Sequence, residues 1–143
     1  FEGGTVSNAV PDYAKLTCDT RYTDYALLEE VLPKLQAIAA KQYVPDTKTV
    51  LKTVTEFQSM DEVPGTAALL KLVQEAAAEC NLPQPTAKAV GGGSDSAYAT
   101  AAGVPTICAL GVQGARNHTA EEFAVVDTLF SRCKLFATIM LNI

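Results

Sequence analysis

A chain of 143 residues, 48% apolar and 19% charged, is long enough to bury a core and too apolar for wholesale disorder. Its net charge of −5 argues against nucleic acid or an anionic membrane as the main partner, because both call for an excess of lysine and arginine. Small peptides or other small molecules fit better, and no apolar run approaches the roughly 20 residues of a membrane span.

Four widely spaced cysteines, Cys18, Cys80, Cys108 and Cys133, form no C-x-x-C pair. They read as reduced, mostly buried thiols of a cytoplasmic protein. Phe1-Glu-Gly-Gly does not resemble a secretory signal and carries no initiator methionine. It reads as the interior of a longer protein.

From Tyr13 to Tyr22 the chain alternates as a strand does, with Ala14, Leu16, Cys18, Thr20 and Tyr22 on one face and Lys15, Thr17, Asp19 and Arg21 on the polar one. Asp24 suits the N-cap of a following helix, whose inward stripe is Leu27, Leu28, Val31, Leu35 and Ile38. Pro33 removes a ladder hydrogen bond and predicts a kink or a boundary near Val31. Val44-Pro45-Asp46 is a turn, and the β-branched run Thr47 to Phe57 predicts a second strand.

Asp61-Glu-Val-Pro-Gly65 breaks the pattern and composition shifts toward alanine and leucine, which predicts a module boundary. Thr66 is the expected cap of a helix through Cys80, with Leu69, Leu70, Val73, Ala76 and Ala77 inward and Asn81-Leu-Pro as its stop. Thereafter the order is a strand (Thr86 to Val90), a glycine turn, a helix (Ser94 to Ala102), a Gly103-Val-Pro turn, a strand (Thr106 to Leu110), a long loop and a helix (Asp127 to Leu141). Strand, crossover helix and strand predict a βαβ unit with two parallel strands, hence an α/β fold.

The turn Gly91-Gly-Gly-Ser-Asp95 admits three readings. It lacks the G-x-G-x-x-G pattern and the following Lys-Ser/Thr of a nucleotide loop. It suits a structural turn capped by Ser94 or Asp95, and it equally suits a loop presenting backbone N–H groups to a substrate carboxylate or amide beside a metal. The single histidine, His118, falls in a loop after a buried-type strand, at the carboxyl end where open α/β sheets bind ligands, and its imidazole suits zinc. Glu121 and Glu122 orient that ring or face water, and Arg116 meets an anionic substrate or, as a loop arginine usually does, has no such role.

Gly3-Gly-Thr-Val-Ser-Asn-Ala-Val-Pro11 with Ala14-Lys-Leu-Thr-Cys-Asp-Thr-Arg21 resembles the "GG…N-x-V-P…D-x-R" signature of the lid, or dimerisation, domain in the zinc-dependent aminoacylase, carboxypeptidase and desuccinylase family. Gly91-Gly-Gly-Ser-Asp, Ala102-Gly-Val-Pro-Thr and Asn117-His-Thr-Ala-Glu-Glu-Phe are similar, in order and separation, to that family's catalytic-domain tail. Tyr25 to Pro64 matches only in pattern. The resemblance implies an α+β lid half with antiparallel strands over residues 1–62, then a βαβ piece of the catalytic domain over residues 63–143. It also implies two zinc ions in the full-length enzyme, hydrolysis of a peptide or N-acyl amino acid next to a free carboxylate, and a homodimer formed through the lid.

Residue by residue, His118 matches the C-terminal zinc-binding histidine, and Asn8 matches the lid asparagine near the oxyanion. Arg21 matches the arginine that grips the carboxylate, and Gly92, Gly93 and Ser94 match the pocket-lining loop. With one histidine, the remaining metal ligands and the general base have no counterpart, so this chain alone is expected to be inactive. The alternative is a non-catalytic dimerisation or ligand-binding module.

Overall fold

The computed structural model describes residues 1–143 as four helices and two small antiparallel sheets, 36% helix and 6% strand. Strands β1 (Glu2–Gly3) and β2 (Ala14–Lys15) pair with Glu2 opposite Lys15, and their side chains form an ion pair of 3.1 Å. Strands β3 (Gly114–Ala115) and β4 (Phe123–Ala124) pair as a hairpin. The parallel pair expected of a βαβ unit is not formed. Segments Thr47 to Phe57, Thr86 to Val90 and Thr106 to Leu110 carry no strand assignment, and of Tyr13 to Tyr22 only Ala14–Lys15 is a strand. A strand is defined by the ladder it shares with a neighbour. These segments have the right side-chain pattern and no ladder partner within the chain.

The helices follow the sequence more closely. Helix α1 (Tyr25–Ala40) starts where Asp24 accepts the Ala26 N–H at 2.8 Å, as its N-cap role requires, and it runs on through Pro33 without a boundary. Its expected inward stripe is only half formed: Leu28 and Val31 are half-buried, while Leu27, Leu35 and Ile38 are exposed. Helix α2 (Thr66–Glu79) is capped by Gly65 rather than by Thr66, whose hydroxyl instead accepts the Val63 N–H at 3.2 Å. Gly65 has φ +99°, and a Cβ there would meet Pro105 Cγ at 2.8 Å, so only glycine fits.

At the far end of α2, Asn81 adopts φ 57°. Its N–H donates to the Ala78 carbonyl at 3.0 Å and the Leu82 N–H to Ala77 at 2.8 Å, the bond pair that closes a helix with a left-handed residue. Helix α3 (Ser96–Ala101) is shorter than expected and ends the same way through Gly103, with Val104 N–H on the Ala99 carbonyl. Helix α4 (Val126–Leu141) begins one residue early.

Helices α2 and α4 pack on each other and hold the core: Val73, Ala76 and Ala77 cluster with Leu135 and Ile139, and Leu110 joins the same cluster. Leu69 and Leu70 are half-buried at its edge. All four cysteines are free, but only Cys80 is buried, which corrects the expectation of mostly buried thiols. No helix is long and apolar enough to cross a membrane.

Candidate functional site

Arg21 and the glycine turn, 70 residues apart in the chain, meet in space. The Arg21 guanidinium donates from Nη1 to the Gly91 carbonyl at 3.2 Å, and from Nε and Nη2 to Asp19 Oδ2 at 3.1 and 2.9 Å. The Asp19 hydrogen bonds, and then its charge, raise the Arg21 pKa above its already high ordinary value, so the group stays cationic. The turn faces Arg21 with a carbonyl here, where the sequence suggested bare N–H groups. None of Gly91, Gly92 or Gly93 is left-handed. Close approach bears on one of them: a Cβ on Gly93 would lie 3.3 Å from the Phe57 ring, whereas one on Gly91 would make only ordinary contact with Arg21 Nη1 at 3.4 Å.

Phe57 is held in turn by the Tyr22 hydroxyl, which donates to its carbonyl, while the Tyr25 hydroxyl donates to Glu56 at 3.1 Å. The segment around Phe57 therefore ties Tyr22 and Tyr25, at the start of α1, to the glycine turn. Ser94 closes that turn. Its hydroxyl accepts the Ser96 N–H at 3.2 Å at the start of α3 and lies 3.1 Å from Cys108 Sγ. Hydrogen bonds from Ser94, then from Ser96, hold the Cys108 thiol below its ordinary pKa by favouring the thiolate.

His118 sits elsewhere in the fold's architecture than the sequence suggested, on the turn of the β3–β4 hairpin instead of beyond a parallel strand. Its backbone is left-handed at φ 65°, as is that of Arg116 at 61°. Two carboxylates stabilise this strained turn. Glu122 accepts the His118 backbone N–H at 3.0 Å, and Glu121 pairs with Arg116 at 2.5 Å. Glu122 thus serves the histidine main chain, and Arg116 is engaged within its own loop. A shallow cavity of about 420 Å³ lies beside the hairpin, lined by Val112, Gly114, Asn117, Glu122, Phe123 and Ala124.

Asn8 occupies an exposed turn closed by the Ala9 N–H on the Val6 carbonyl at 3.4 Å. The structure thus joins Arg21 to Gly91, and Gly93 and Ser94 to Phe57 and Cys108. No hydrogen bond links Asn8 or His118 to that group. No set of three or more His, Cys, Asp or Glu side chains in the chain is arranged to hold a metal ion. Its own donors do not complete a metal centre.

Sequence reasoning put Asp19 beside Arg21 on the polar face without giving it a role, and missed Phe57 and Cys108 as neighbours of the site. The role of Asp19 was within reach, since it stands two residues before Arg21 on the same face of an alternating segment. Phe57 and Cys108 arrive through long-range packing that no local pattern announces. A family model described as peptidase family M20/M25/M40 matches residues 16–142. No curated protein and no solved structure matches the chain.

Proposed function

We propose, on the premise that this chain belongs to peptidase family M20/M25/M40, that it is part of a zinc-dependent exopeptidase or amidohydrolase that cleaves a peptide or N-acyl amide bond next to a free carboxylate. Members of the family are hydrolytic metallopeptidases, typically metal-dependent, and the family implies peptide-like substrates. In this proposal residues 1–62 belong to a lid and residues 63–143 to the catalytic domain.

The observation that carries the reading is the meeting of Arg21 with the glycine turn. An exposed, permanently charged guanidinium beside Gly91 is the group chemistry would choose to hold a carboxylate. Gly92 has open space where a Cβ would stand, so a substrate can approach the backbone there, with Ser94 beside it. Asn8, on its exposed turn, contributes a side-chain amide donor to the developing oxyanion when the lid closes. His118 contributes one imidazole to a zinc site whose other ligands and general base come from outside these 143 residues. The chain alone is inactive on this account.

A homodimer through the lid is part of the same proposal. Its support is the apolar surface that α1 and the extended segment around Val50, Leu51 and Val54 leave exposed. A cytoplasmic location rests on the four free thiols alone.

The test is His118→Ala in the full-length enzyme. Hydrolysis of dipeptides and N-acyl amino acids falls at least about a hundredfold together with zinc content, while far-UV circular dichroism is unchanged. Turnover retained at normal zinc content overturns the assignment. A full-length protein without stoichiometric metal would favour the reading of a non-catalytic module.

A further inference from the structure

Asp19 has no part in the reading above, yet it makes two of the three hydrogen bonds that fix Arg21. Both the Nε and Nη2 donors end on one carboxylate oxygen, Oδ2, at 3.1 and 2.9 Å, and Nη1 ends on the Gly91 carbonyl at 3.2 Å. A guanidinium has five N–H donors. With three engaged, two remain, the number a bidentate carboxylate takes.

The pair does little for the fold. Both side chains are largely exposed, 69% for Arg21 and 71% for Asp19, and ion pairs in water contribute little to stability. What the contact does is restrict a long side chain with several rotatable bonds to one orientation before any ligand arrives, so less freedom is lost when one binds.

We propose that Asp19 is a positioning residue: it braces Arg21 side-on against the glycine turn and thereby keeps two guanidinium donors available to a substrate carboxylate. The inference rests on the carboxylate-binding role given to Arg21 above. It adds the residue that sets the affinity of that grip.

The experiment is titration of the chain with N-acetylglutamate, followed through the Arg21 side-chain Nε–H and the Gly91, Gly92 and Gly93 amide resonances. The wild-type chain shows saturable shifts at both. Asp19→Asn retains a hydrogen-bond acceptor but loses the charge. It weakens binding about fivefold and broadens the Nε–H signal by exchange with water, while the remaining amide spectrum is unmoved. Asp19→Glu restores the signal and most of the affinity, which a general structural effect would not do. Arg21→Ala abolishes the response.

Two failures are distinct. If the wild-type chain shows no shift, or Arg21→Ala leaves binding intact, the carboxylate role of Arg21 falls and takes this inference with it. If Arg21→Ala abolishes binding but Asp19→Asn does not weaken it, the positioning role alone is wrong. Tighter binding by Asp19→Asn would show Asp19 to be a competitor for the guanidinium, which also overturns the proposal.

Discussion

Ser94 and Cys108 are 14 residues apart in the chain and 3.1 Å apart at their side-chain tips. The hydroxyl stabilises the thiolate and lowers the Cys108 pKa, and below that pKa the thiolate fraction limits the rate of alkylation, outweighing the lost intrinsic nucleophilicity. Cys108 is exposed as well. Ser94→Ala therefore slows iodoacetamide labelling of Cys108 by about threefold or more near neutral pH. The difference shrinks as pH rises through the ordinary thiol range, where both forms are ionised. Mass-spectrometric labelling rates at two pH values check this, and an unchanged rate at the lower pH would mean the contact does not shift the thiol.

Among the elements, α2 shows how local chemistry and long-range packing combine. Its period puts Val73, Ala76 and Ala77 on one face, and that face is the one buried against α4. Its start depends on a backbone that only glycine adopts freely, at Gly65, with Pro105 packed where a side chain would be. Gly65→Ala combines a left-handed alanine with overpacking, so unfolding stability falls by about 2 kcal/mol. A lower midpoint of urea unfolding with an unchanged slope is the expected result. Equal midpoints would mean that the turn shifts to admit a Cβ.

The helices were legible because capping and periodicity act within a dozen residues: Asp24 before α1 and Asn81 after α2 act where a local reading puts them. The strands were not legible in the same way. Alternation over Thr47 to Phe57 states which faces a strand would have, but pairing belongs to two segments at once. Likewise Arg21 and the glycine turn could each be picked out from the chain, while the Gly91 carbonyl as the group that meets the guanidinium could not.

For the molecule as a whole, surface decides the behaviour. The exposed area is 11382 Å² for 15.1 kDa, against about 7,100 Å² that size scaling gives a compact monomer. Only nine of 143 residues are buried, and Phe130, Leu129, Val54 and Ile38 are among the large apolar side chains left exposed. Apolar area on this scale drives association. Light scattering is therefore expected to give a mass above 15.1 kDa that rises with concentration and with added sulfate, which strengthens apolar burial. A monomer at all concentrations, with no binding of a hydrophobic dye, would contradict that expectation and remove the support for a dimer.

Composition, caps and helical period lie in the order of residues and by themselves set the helices of this chain, while its motifs, through their resemblance to a hydrolase family, singled out the glycine turn, Arg21 and His118. Tertiary structure alone decided the rest. It denied the extended segments a ladder partner, set His118 on a strained hairpin turn, and brought Asp19, Arg21 and Gly91 into one hydrogen-bonded group. The reason is physical: a cap or a helical face is satisfied by neighbours along the chain, whereas a strand ladder and a binding group need partners that only folding brings near.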